Sequence, residues 1–152
     1  MTKILFVCLG NICRSPMAEF VLKDMVKRRG IEKDFLIRSA ATSDEAVGCT
    51  VHKGTKSKLA EFNISTDGKY AVQLKRDDYN KYDLIIGMEQ NNIKNMLYIF
   101  GGDPDNKVYK LLDFANGGDI ADPWYTHNFD KTYDDILCGC NGILKRLGYL
   151  PK

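Results

Sequence analysis

The chain opens on an uninterrupted apolar run, Ile4-Leu5-Phe6-Val7. A continuous run of that kind predicts a strand covered on both faces. Beyond it, Ala18, Val21, Leu22 and Met25 recur at helical spacing, predicting a helix from about Pro16 to Arg29. Ser15 reads as its N-cap, Pro16 suits the first turn and Gly30 ends it. Phe35-Leu36-Ile37 predicts a second strand, running into the small residues Ser39-Ala40-Ala41-Thr42-Ser43. Val51 to Asn63 predicts a helix with Leu59 and Phe62 on its buried face, weakened by Gly54. Asp77-Asp78-Tyr79 reads as a helical turn, and Leu84-Ile85-Ile86 as the third strand. Met88 to Phe100 predicts a helix with Ile93, Met96, Leu97 and Phe100 inward, broken by Gly101-Gly102-Asp103-Pro104. Val108 to Leu112 predicts the fourth strand. The last helix runs from about Asp130 to Leu147, with Tyr133, Ile136, Leu137, Cys140, Leu144 and Leu147 on one side, and Gly148 ends it.

Strands that alternate with helices imply an α/β fold: one domain over 1–152, a doubly wound four-stranded parallel sheet, helices on both faces. Such a sheet binds ligands beyond the carboxyl ends of its strands, where the strand order reverses. Cys8 stands at the end of the first strand.

Composition narrows the function classes. The 152 residues are 44% hydrophobic and 28% charged, ordinary for a globular protein. A formal charge of +2 argues against nucleic acid and membrane surfaces as partners. No charged-then-apolar leader and no long apolar run is present, which predicts a cytoplasmic protein. Five cysteines without regular spacing fit a reducing compartment. No zinc-type His/Cys cluster, Walker loop or dinucleotide fingerprint occurs, so neither metal nor cofactor is expected.

The densest chemistry lies in Cys8-Leu9-Gly10-Asn11-Ile12-Cys13-Arg14-Ser15-Pro16. A strand ends in a thiol, a short loop turns, and a helix begins. Backbone N–H groups, one guanidinium and the positive end of a helix dipole then converge on a volume suited to a phosphate dianion. The same positive field holds a rim cysteine as thiolate. The C-x5-R spacing therefore reads as a nucleophile, Cys8, and its anion clamp, Arg14. Gly10 offers a backbone free to take positive φ.

C-L-G-N-I-C-R-S-P, together with the downstream Asp122-Pro123-Trp124-Tyr125, resembles the low-molecular-weight protein tyrosine phosphatases over essentially the whole chain. The resemblance implies a flavodoxin-like strand order 2-1-3-4. It implies a phosphotyrosine phosphatase that works through a cysteinyl-phosphate, with Asp122 as general acid and then base. By motif position, Leu9, Gly10, Asn11, Ile12 and Cys13 form the phosphate loop. Ser15 donates to the Cys8 sulfur, and the Asn11 side chain braces the loop. Trp124 and Tyr125, as aromatics beside a phosphate site, read as walls of a slot for an aryl ring; capping of the core by their loop is the other reading. Arginine phosphatases resemble this family but typically carry Thr at the position of Ile12, so Ile12 favours phosphotyrosine. Cys13 is the expected redox partner of Cys8, protecting it as a reversible disulfide; a small buried hydrophobe is the other reading.

Three departures from the family pattern stand out. Glu45 holds the position where an aromatic wall residue is common, giving an acidic rim. In Lys69-Tyr70-Ala71-Val72-Gln73, Lys69 replaces a His that braces the loop Asn, and Val72 replaces an Arg. His127 follows the D-P-W-Y-T turn and reads as an exposed loop histidine. Asp113 and Asp119 read as solvated loop charges. Cys49, Cys138 and Cys140 read as ordinary core or surface thiols.

Two other functions compete with the phosphatase. An arsenate reductase on this scaffold needs further cysteines after the third strand, where Gly87-Met88-Glu89-Gln90 has none. A phosphate-binding module would not need both Cys8 and Asp122. The expected partner is a tyrosine-phosphorylated protein, bacterial tyrosine kinases included; oligomeric state is left open.

Overall fold

A computed structural model describes residues 1–150. Four strands, β1 (Thr2–Cys8), β2 (Phe35–Ala41), β3 (Leu84–Gly87) and β4 (Val108–Lys110), pair in parallel in the order β2-β1-β3-β4. The central strand pairs along its length with β2, from Thr2 opposite Phe35 to Cys8 opposite Ala41. Six helices accompany the sheet: α1 (Arg14–Arg28), α2 (Lys53–Ala60), α3 (Asp78–Lys81), α4 (Gln90–Phe100), α5 (Pro123–Thr126) and α6 (Phe129–Arg146). None of the described helices is long and apolar enough to cross a membrane.

The two faces of β1 anchor two cores. Ile4 and Phe6 pack with Met17, Val21 and Leu22 of α1 and with Ile136, Ile143 and Leu144 of α6. Leu5 and Val7 pack on the other side with Ile85, Met96, Phe100, Leu74 and Tyr79. Each such fully buried side chain contributes about 2 kcal/mol of transfer free energy. The strand that ends in Cys8 is thus the most firmly held element of the sheet.

Several local expectations shift, each for a physical reason. The first helix begins at Arg14, with Cys13 as N-cap and no side-chain cap. Ser15 lies inside the first turn, because its hydroxyl is engaged by Cys8 and Asn11. The second helix spans only Lys53–Ala60, and the His52 side chain caps it by accepting from the Gly54 N–H. The fourth strand stops at Lys110: Leu111–Phe114 turn into a 3-10 helix that buries Leu111 and Leu112. On α4, Leu97 is exposed, because the sheet takes only the narrow stripe of Ile93, Met96 and Phe100. In α6, Tyr133, Ile136, Cys140 and Leu144 are buried as expected.

Candidate active site

The loop after β1 wraps around the Cys8 sulfur. The Asn11 N–H donates to Cys8 Sγ at 3.3 Å, and Ser15 Oγ lies 3.0 Å from the same sulfur. Asn11 Nδ2 donates to Ser15 Oγ at 2.8 Å, which leaves the Ser15 hydroxyl proton free to face the sulfur. Two donors aimed at one sulfur form a setting suited to an anion.

The positive φ in this loop belongs to Asn11 (φ 58°), and Gly10 is not among the left-handed residues. Asparagine tolerates that conformation when its side chain is hydrogen-bonded locally. Here it makes three further contacts: Nδ2 donates to Ser15 Oγ and, at 2.9 Å, to Ser39 Oγ, while Oδ1 accepts from the Val72 N–H at 3.2 Å.

The bracing continues into the buried layer. The Ser39 hydroxyl donates to Glu19 Oε1, and the Lys69 ammonium donates to the Ser39 carbonyl at 2.8 Å while lying 3.7 Å from Glu19. Lys23 closes on the other Glu19 oxygen. Lys69 therefore occupies the bracing position that the sequence left open, and it covers the edge of β2. Burial pulls its affinity for a proton below the ordinary lysine value, with Glu19 opposing. Val72 contributes its backbone: its N–H donates to Asn11 Oδ1, and its carbonyl accepts the Ala41 N–H at 2.8 Å. The small segment Ser39–Ser43 ends β2 and lies against the loop: Thr42 and Ser43 N–H groups donate to the Cys8 and Leu9 carbonyls, each at 3.0 Å.

Arg14 is 2% exposed, so its charge needs partners. Its guanidinium binds Glu89, the Ile120 carbonyl at 2.9 Å and Asp122 Oδ2 at 3.3 Å. Asp122 also accepts the Trp124 N–H through Oδ1 at 3.0 Å, starting α5 with Pro123 in its first turn. A cleft of about 250 Å³ opens above, lined by Cys8, Leu9, Gly10, Ile12, Cys13 and Arg14 below and by Ser43, Glu45, Ala46, Asp122, Trp124 and Tyr125 at its sides. Burial, then the proximity of Cys8 and Asp122, pushes the Cys13 thiol up to about 12.

Residues 3–149 match the family model described as low molecular weight phosphotyrosine protein phosphatase. The chain belongs to this phosphatase family. Similar proteins include YfkJ of Bacillus subtilis, a low molecular weight protein-tyrosine-phosphatase 37% identical over 95% of this chain and 94% of the relative. PtpA of Staphylococcus aureus, with the same description, is 38% identical over 95% and 92%. The crystal structure of SP-PTP from Streptococcus pyogenes, a low molecular weight protein tyrosine phosphatase, superimposes with a TM-score of 0.87 at 44% identity, covering 97% of this chain and 93% of that one. The family consists of enzymes, and the flavodoxin-like order that the resemblance implied is the one observed.

Of the residues singled out in the sequence, Cys8, Leu9, Gly10, Ile12, Cys13, Arg14, Asp122, Trp124 and Tyr125 line one cleft, and Asn11 and Ser15 lie behind it, hydrogen-bonded at the Cys8 sulfur. It adds two residues that no sequence pattern had marked, Glu89 on Arg14 and His52 against Trp124. His127 is exposed and left-handed (φ 58°), ending α5. Asp113 and Asp119 are more than solvated charges. Asp113 accepts the Lys110 N–H at 2.8 Å, and Asp119 accepts the first N–H of α4, Gln90, at 3.0 Å and the Lys110 ammonium at 3.2 Å. Cys49 and Cys138 are exposed, and Cys140 is buried.

Proposed function

We propose that the chain hydrolyses phosphotyrosine on proteins through a cysteinyl-phosphate intermediate. The observation that carries this reading is the convergence of Cys8, the buried Arg14 and Asp122 on one cleft. Cys8, as thiolate, attacks phosphorus; the S–P bond forms as the P–O bond to the aryl oxygen breaks. Loop N–H groups and the Arg14 guanidinium hold the equatorial oxygens, with Glu89 fixing the guanidinium plane. Asp122, protonated, gives its proton to the leaving phenolate. As carboxylate it then takes one from the water that attacks the intermediate, releasing phosphate and the Cys8 thiolate. Arriving phosphate competes with Asp122 for Arg14, which frees the carboxyl for this work.

Trp124 and Tyr125 stand at the mouth and supply aromatic walls for a phosphotyrosine ring. Ile12 places an apolar side chain in the lining, which supports the aryl substrate over phosphoarginine. The substrates are tyrosine-phosphorylated proteins, with a bacterial tyrosine kinase as one candidate. Five free thiols support a cytoplasmic setting. Cys13 lines the same cleft as Cys8, which supports its role as redox partner. Peroxide oxidises Cys8 to the sulfenic acid, and Cys13 displaces water from it to form the disulfide.

The test is phosphate release from a phosphotyrosine peptide and a phosphoarginine peptide under reducing conditions. Wild type is expected to prefer phosphotyrosine, with Cys8→Ser inactive and Asp122→Ala slowed by roughly 10²–10⁴-fold. An active Cys8→Ser would overturn the mechanism, and a preference for phosphoarginine would overturn the substrate.

A further inference from the structure

The phosphate loop and the acid loop meet at a residue that takes no part in the steps above. The His52 N–H donates to the Ile12 carbonyl at 2.8 Å, inside the phosphate loop. Three residues on, Thr55 Oγ1 donates to the Cys13 carbonyl at 3.2 Å. His52 Nδ1 accepts the Gly54 N–H at 3.0 Å, which caps α2 and puts the proton of the neutral ring on Nε2. The ring is wedged between two aromatics. It stacks on Phe129 at 5.4 Å with planes 14° apart, and meets Trp124 edge-on at 5.6 Å and 73°. Gly54 makes room for this, since a Cβ there would fall 2.3 Å from the Phe129 ring. The Trp124 N–H in turn donates to Asp122.

The acid loop needs such a tether. The helix α5 is four residues long, too short to hold itself by helical cooperativity. Its Trp124 and Tyr125 are largely exposed. We propose that His52 is a positioning residue. Its backbone fixes the phosphate loop while its ring fixes Trp124, so the Asp122 carboxyl is held at a set distance from Cys8 and Arg14. The inference rests on the reading of Asp122 as general acid.

Two substitutions separate the cap from the wedge. His52→Asn keeps a good N-cap acceptor and removes the wedge. His52→Phe keeps an aromatic wedge and loses the acceptor. His127→Asn, at an exposed left-handed position, is the control. Each is assayed on phenyl phosphate, a poor leaving group, and on p-nitrophenyl phosphate, a good one that needs little help from an acid. In His52→Asn, kcat is expected to fall about tenfold further on phenyl phosphate than on p-nitrophenyl phosphate, with KM nearly unchanged. In His52→Phe the ratio stays at the wild-type value although the protein melts lower. Trp124 is the single tryptophan of the chain, so acrylamide quenching of intrinsic fluorescence reads its exposure directly. Quenching should rise in His52→Asn and stay put in His52→Phe and His127→Asn. A His52→Asn variant in which both readouts match wild type, or only one of them moves, overturns the proposal. A wild type inactive on both esters would sink the phosphatase reading instead, and quenching alone would then judge the tether.

Discussion

Behind the phosphate loop, Asn11, Ser15, Ser39 and Glu19 are each 2% exposed or less, and every one is hydrogen-bonded to another member of the set. In front of it, Glu45 and Tyr125 stand largely in solvent, and Glu45 makes no side-chain ion pair among the described residues. The floor holds one geometry because each buried polar group would be costly to leave unpaired. The rim is free to vary, since an exposed side chain changes little but the potential and shape met by the substrate. Rate should therefore depend on the floor and substrate choice on the rim.

The largest effect should come from Asn11. Asn11→Ala removes three side-chain contacts and places a Cβ residue at positive φ without local support. It should lower stability by about 3 kcal/mol and kcat by about 10²-fold, read by urea unfolding and aryl phosphate turnover. Asn11→Gly relieves the backbone and not the lost contacts, so it should recover part of the stability and little of the rate.

Lys69 gives an intermediate effect with a pH signature. Burial, its largest influence, weakens its hold on a proton in the folded chain, so just below the ordinary lysine range the unfolded chain binds more protons. Its contribution to the free energy of unfolding then rises with pH across that interval and is smallest on the acid side. Lys69→Met should remove this slope, so the difference between wild type and variant grows from pH 8 to 10 in urea titrations. A constant difference would mean that Lys69 acts by packing alone.

The rim should give the smallest change. Glu45→Lys should lower KM for an acidic phosphotyrosine peptide by about three-fold, the scale of an exposed charge pair, and the gain should fade with salt. A change in kcat as large as that in KM would break the division between floor and rim.

The sequence announces what is local or periodic. The buried strand before Cys8, the helix after it and the spacing of Cys8 to Arg14 are all legible, because burial on two faces and helical periodicity leave direct marks. The loop's left-handed residue lies at Asn11 and not at Gly10, since two distant partners, Ser39 and Val72, and the neighbouring Ser15 support the asparagine. Ser15 has the composition of a helix cap but serves the sulfur instead. Glu89 and His52 act across long sequence separations, 75 residues to Arg14 in one case, and no local pattern encodes such a contact. The sequence did expose the loss of the bracing His at position 69; the Lys69–Glu19–Ser39 arrangement that replaces it needed the fold.

The most direct test of the central claim is to catch the intermediate. Asp122→Ala, mixed with a phosphotyrosine peptide and quenched in acid within its first turnover, is digested and weighed by mass spectrometry. The account predicts a phosphoryl group on the peptide that carries Cys8, and none when Cys8→Ser is added. A phosphoryl group on another residue, or phosphate release by the Cys8→Ser variant at the wild-type rate, would contradict it.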